Sequence, residues 1–130
     1  MARRVALVSL LVADYDDAIA FYVGKLGFTL VEDTDMGGDK RWVVVSPGTE
    51  GTDFLLARAI DDQARAIGQQ GGGRVWLFLH TDDFAGDHAR MTAAGVRFLE
   101  EPRFEPYGTV AVFEDLSGNR WDLLEPKAAR

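Results

Sequence analysis

The chain has 130 residues, 47% of them hydrophobic, which suits one compact domain or two small halves sharing a core. It has no cysteine, which excludes disulfides, thiolate metal sites and a cysteine nucleophile. A formal net charge of −7 argues against a nucleic-acid partner, whose phosphates attract clustered cations rather than the short pairs Arg3-Arg4 and Lys40-Arg41.

Met1-Ala2-Arg3-Arg4 leads into a strand-like stretch rather than a signal-peptide core. No apolar run approaches the roughly 20 residues that span a membrane, so a cytoplasmic protein without a membrane partner is expected. Val5 to Val12 is apolar at nearly every position and predicts a strand covered on both faces. Asp14 is placed to cap the helix that follows, in which Ala18, Phe21, Tyr22 and Leu26 form one stripe before Gly27 ends it. Strands are predicted at Phe28 to Val31, Arg41 to Val45 and Phe54 to Ala57, with the polar stretch Glu32 to Lys40 and the turn Pro47 to Gly51 between them. Asp61 to Gly73 is polar, ends in three glycines and predicts a linker or mobile loop containing one helical turn.

The pattern then begins again. Val75 to Thr81 predicts a strand, Asp82-Asp83 a cap, Phe84 to Ala94 a helix stopped by Gly95, and Val96 to Leu99 a strand. Pro102 to Gly108 predicts a loop. Val110 to Glu114 and Trp121 to Leu124 flank the turn Asp115-Leu116-Ser117-Gly118-Asn119 as a hairpin. Alternation on the returning strand puts Arg120, Asp122 and Leu124 on one face and Trp121 and Leu123 on the other. A carboxylate at Asp122, in mid-strand, requires a partner, solvent or a metal; Arg120, Arg41 and Arg74 are the candidate partners.

The order βαβββ, linker, βαβββ is matched by residues. A shift of about 68 sets Gly27-Phe28-Thr29-Leu30-Val31-Glu32 on Gly95-Val96-Arg97-Phe98-Leu99-Glu100, and Phe54-Leu55-Leu56 on Asp122-Leu123-Leu124. Two copies of one unit of supersecondary structure are expected, with a cavity on the concave side of the sheet they build.

The runs Leu10-x-Val12-x-Asp14, Ala18-Ile19-Ala20-Phe21-Tyr22 and Leu26-Gly27-Phe28 resemble the opening module of the vicinal oxygen chelate superfamily, which includes glyoxalases, bleomycin-resistance proteins and extradiol dioxygenases. Ala93-Ala94-Gly95-Val96, Pro106-Tyr107-Gly108 and Phe113-x-Asp115-x-x-Gly118-Asn119-x-x-Asp122-Leu123 resemble the second module. The resemblance implies an α+β fold, two βαβββ modules forming a curved mixed sheet, in a single domain 1–130 (module 1, 4–60; linker 61–73; module 2, 74–126). It also implies a homodimer, with modules shared or exchanged across the linker.

Enzymes of that group hold a divalent metal with His, Gln or Glu on the first and last strand of each module. Those positions carry over to Leu7, Phe54 (or Leu55 under a one-residue shift), Trp76 and Asp122. Leu, Phe and Trp offer no lone pair, and a lone carboxylate does not hold Zn, Ni, Fe or Mn. His80, on the strand face of Trp76, is the one further metal candidate beside Asp122; His88, in mid-helix, is expected to face solvent. The expected ligand pocket is Leu7, Trp42, Phe54, Trp76, His80, Tyr107 and Asp122, with no resident metal or other cofactor, and Trp121 is placed either there or against a helix.

No nucleophile elbow or phosphate loop is present, and Gly71-Gly72-Gly73 precedes a strand rather than a helix. The carboxylate pairs Asp16-Asp17, Asp61-Asp62 and Asp82-Asp83 stand where helix capping accounts for them. No catalytic group is identified. The expected function is metal-independent binding of a small planar or amphipathic molecule, with Asp122 against a polar or cationic group. The alternatives are a divergent metal-dependent lyase or dioxygenase using Asp122, His80 and a third ligand, and a module whose pocket is vestigial.

Overall fold

Alternation along the first strand decides which of its faces is covered. In the computed structural model, which describes residues 2–128, Leu10 and Val12 of Leu7–Val12 (β1) are buried, whereas Leu7 and Ser9 are exposed. The expectation of a strand covered on both faces is therefore corrected: β1 is an edge strand with a helix on one side only. Met1, Ala129 and Arg130, the outermost residues of the expected domain 1–130, lie outside the described residues.

The described residues form two compact units, divided between Ile67 and Gly68. In the first, Thr29–Asp35 (β2), Arg41–Ser46 (β3) and Asp53–Arg58 (β4) join β1 in a sheet of order β1-β4-β3-β2. β1 and β4 run parallel, and β3 is antiparallel to both neighbours. Tyr15–Ile19 (α1) continues as a π-helical turn, Ala20–Lys25, and buries Ala18, Phe21 and Tyr22 of the expected stripe together with Tyr15, while Leu26 is half-buried. Asp14 Oδ2 accepts the Asp17 N–H at 2.8 Å, the expected cap. β2 runs four residues further than expected, to Asp35; its acids and the register shift between Leu30 and Glu32 discourage edge-to-edge pairing.

The second unit repeats this order as β5-β9-β8-β6. Its strands are Val75–His80 (β5), Arg97–Phe98 (β6), Gly108–Glu114 (β8) and Arg120–Pro126 (β9), with Phe84–Ala93 as α2. β5 is parallel to β9 as β1 is to β4, so the repeat seen in the residues is also a repeat of topology. One strand is additional. Arg103–Glu105 (β7), in the stretch expected to be a loop, pairs antiparallel with β8.

The hairpin turn is built on Asp115, which is 4% exposed. Its Oδ1 accepts the N–H groups of Ser117 and Asn119, and its Oδ2 accepts Asn119 Nδ2 and Trp121 Nε1, at 3.0–3.1 Å. Gly118 supplies the positive φ, 94°, that closes the turn. Trp121 and Leu123 lie on the helix-covered face and are buried, which settles Trp121 as core.

The stretch 61–73 is folded into both units. Asp61–Ala66 is a 3-10 helix of the first, with Gln63 Oε1 accepting the Ile60 N–H. Gly68 and Gly71 belong to the second and pack closely on Ser117 and Trp76.

Candidate functional site

Register sorts the expected pocket residues by face. In the first unit Val8, Leu10 and Val12 pair with Phe54, Leu56 and Arg58, and this face carries the helix. Leu7, Ser9 and Leu11 pair with Asp53, Leu55 and Ala57 on the opposite face. Phe54, 6% exposed, is thus a core residue beneath α1, and the expectation that it lines the pocket is corrected: Leu55 holds the position on the face of Leu7. Slipping a strand by one residue exchanges its faces, so a one-residue ambiguity in alignment decides this point. Val44 opposite Leu55 fixes Trp42 on that same face.

Trp42 and Leu55 also line a cavity of about 480 Å³, together with Tyr15, Arg41, Ala57, Arg58 and neighbouring residues of the first unit. The cavity lies at one end of β3 and β4, which pair only at Val44–Leu55 and Val45–Phe54 among the described residues. Tyr15 is held at this end: its hydroxyl accepts the Arg41 backbone N–H at 3.1 Å, and the guanidinium carbons of Arg41 and Arg58 lie over its ring, 5.1 and 5.6 Å from the centroid. Arg41 is committed to acids, with Nε and Nη2 on Asp33 and Nη1 on Asp16. Those bonds hold the Asp33 carboxyl below its usual range.

In the second unit Asp122 is 8% exposed, and its Oδ1 is buried without a hydrogen-bond partner among the described residues. Its cross-strand neighbours are Phe78 and Val112. Phe78 is 62% exposed, and the register sets it and His80 on the face of Asp122. Burial raises the Asp122 pKa above the ordinary value; Arg103 opposes this and Glu100 reinforces it. None of Arg120, Arg41 and Arg74 forms an ion pair with Asp122, which corrects the expected partners. Arg103 is the cation that influences it, from between Glu100 (3.0 Å) and Glu105 (2.7 Å). Glu100 first and Tyr107 second raise the Arg103 pKa further; Tyr107, 51% exposed, stands in the turn before β8.

Trp76 is set apart by a register shift. Val75 pairs with Arg120 and Leu77 with Trp121, so Trp76 is the extra residue of a bulge. Its Cβ and Cγ lie against Gly71, where an added Cβ would come within 2.5 and 3.0 Å of them. Trp76 is half-buried beside the glycine loop, one place outside the ladder that holds Asp122. His88, expected to face solvent, is instead packed between Phe84 and Phe98, with ring centroids 5.5 and 4.3 Å away.

The donors do not fit a resident metal. Leu7, Leu55 and Trp76 have no ligating atom, His80 is two residues along from the place opposite Asp122, and no group of three or more His, Asp or Glu among the described residues is arranged to hold an ion. Leu55 is the alternative to Phe54 under a one-residue shift; Phe78, Arg58 and Arg103 were missed as site residues. Exact register, the signal that finds Leu55 and Phe78, is set by pairing; a single Arg at a strand end carries no signal in sequence.

A family model described as the Glyoxalase/Bleomycin resistance protein/Dioxygenase superfamily matches residues 4–123. A protein of Shewanella frigidimarina (strain NCIMB 400) is 56% identical over 128 residues, 96% of this chain and 95% of that one. The crystal structure of UcmS2 superposes with a TM-score of 0.81 at 33% identity, covering 96% of this chain and 99% of the other. That of TnmS3, an antibiotic binding protein from Streptomyces sp. CB03234, gives a TM-score of 0.78 at 32% identity, with 97% and 98% covered. No helix among the described residues is long and apolar enough to cross a membrane.

Proposed function

The chain belongs to the glyoxalase/bleomycin resistance protein/dioxygenase superfamily, and from that premise we propose that it is a metal-independent small-molecule-binding protein, which holds its ligand rather than converting it. The observation that carries this is the donor set. Where the family resemblance places metal ligands, the chain presents Leu7, Leu55 and Trp76, and Asp122 alone offers oxygen. Function within a shared fold resides in such positions.

Aromatic and aliphatic side chains in place of ligands give a surface on which a planar molecule stacks and buries area, worth about 1–3 kcal/mol for an indole or phenyl contact. In the second unit the ligand rests on Phe78 and beside Trp76, and an amine or other donor meets the unpartnered Asp122 Oδ1. The likeness to TnmS3, named an antibiotic binding protein, supports a drug-like ligand. The chain is proposed to work as a cytoplasmic homodimer; light scattering on a sizing column should return twice the 14.3 kDa chain mass.

The test is titration of EDTA-treated protein with doxorubicin, a planar antibiotic carrying an amine, and with metal-free bleomycin, followed by tryptophan fluorescence. Saturable quenching by either, weakened about tenfold by Asp122→Asn and unchanged by added Ni, Zn or Mn, supports the proposal. Binding or turnover only after one equivalent of metal is restored overturns it in favour of a metal-dependent lyase or dioxygenase.

A further inference from the structure

We infer that the cavity at the unpaired end of β3 and β4 is a binding site for a planar aromatic carboxylate, with Arg58 as its anion-binding residue. Arg58 stands where alternation calls for an apolar side chain. It shares the helix-covered face of β4 with Phe54 and Leu56, and its partner across the ladder is Val12, 1% exposed. An arginine in such a place ordinarily has a carboxylate. Arg41, which also lies over the Tyr15 ring, has two, and is fully engaged by them. The Arg58 side chain has no hydrogen bond or ion pair among the described residues; its guanidinium carbon lies over the Tyr15 ring, 5.6 Å from the centroid. That contact with the ring leaves the N–H groups for a planar, bidentate acceptor.

The rest of the lining fits the remainder of such a molecule. Trp42, Leu55, Ala57 and Ile60 are apolar walls, and about 480 Å³ is within the range of small-ligand sites. Lys40 also lines the cavity, and like Arg58 it has no carboxylate within ion-pair distance. The nearby acids do not occupy Arg58. Asp14 caps α1, Asp33 is held by Arg41, Asp35 Oδ1 accepts the Gly37 N–H at 2.8 Å, and Asp39 lines the cavity without reaching the guanidinium. These acids line the same pocket as Arg58, where salt with a screening length of roughly 8 Å does little to weaken their field, so a carboxylate is held only through direct bidentate contact with the guanidinium.

The site does not depend on the function proposed above, because its ligand needs no amine and does not use Asp122. The experiment compares naphthalene-2-carboxylate with 2-naphthylmethylamine, which share a ring system and differ in charge, by calorimetry at 0.15 M salt. The carboxylate is expected to bind at least about tenfold more tightly, and Arg58→Gln to abolish that preference. In the wild-type protein the carboxylate is expected to shift the NMR signals of Trp42 Nε1–H and Arg58 Nε–H, which keeps the proposal testable if the variant does not fold. Equal or tighter binding of the amine, a preference that survives Arg58→Gln, or shifts confined to Trp76 and Trp121 would overturn it. Asp122→Asn is expected to leave naphthalene-2-carboxylate binding unchanged, which separates this site from the one on the second unit.

Discussion

Asp122→Asn replaces a buried, unpartnered carboxylate with a neutral group of nearly the same shape, and should make the ligand-free protein more stable. The side chain is 8% exposed, its Oδ1 has no hydrogen-bond partner among the described residues, and burial raises its pKa from the ordinary value of 3.8. A buried polar group left unpaired costs about 1–3 kcal/mol, and the amide, also imperfectly paired, avoids the part due to charge. A gain of about 1 kcal/mol follows, or roughly 0.5 M in the urea midpoint. The pH dependence has a definite sign. A carboxyl whose pKa is higher in the fold than in the unfolded chain loses stability as pH rises from 3.8 through the folded value. The advantage of Asn over Asp should therefore be larger at pH 7 than near pH 4, and shrink as pH falls toward 3.8. Urea titrations of both proteins at pH 7 and pH 4.5, followed by circular dichroism, measure this. A loss of more than about 1 kcal/mol at pH 7 would refute the reasoning, because the carboxylate would then be satisfied within the fold.

Three further outcomes follow from other sites. Asp115→Asn turns an amide toward Asn119 Nδ2 or Trp121 Nε1 and should cost about 2–4 kcal/mol in urea unfolding, since both donors are buried. Gly71→Ala drives a methyl to within 2.5 Å of Trp76 Cβ, and should cost about 1–3 kcal/mol and shift tryptophan emission. Arg41→Gln should return the Asp33 carboxyl to its usual range in an NMR titration; the stability this pair adds is present above pH 3.8 and lost as pH falls through the lowered value, so the variant should show less acid sensitivity in that window.

The fold was legible because signals at several levels agree. The repeated order of elements, the caps at Asp14 and Asp83 and the turn at Gly118 all survive in the structure. The 68-residue offset holds at Gly27 and Gly95 and not at Phe54 and Asp122, which lie on opposite faces. Asp122 lies on the face that alternation assigns it, opposite to that of Trp121 and Leu123. The remaining site residues depend on register. Phe54 and Leu55 differ by one place and exchange faces, and the bulge at Trp76 breaks the alternation that had joined it to Asp122. β7 is three residues long, too short for a periodic signal, yet it carries Arg103, the cation acting on Asp122. Arg58 gains its meaning from having no acid within ion-pair distance among the described residues although several lie nearby, a property of packing alone.

The most direct test of metal-independent binding is calorimetric titration of doxorubicin into protein stripped with EDTA and shown by elemental mass spectrometry to hold no metal. The account predicts saturable binding at about 10 µM or tighter, roughly −7 kcal/mol, with the same affinity after Ni, Zn or Mn is added and a loss of about tenfold in Asp122→Asn. No heat from the stripped protein, and binding recovered with one equivalent of metal, would contradict it.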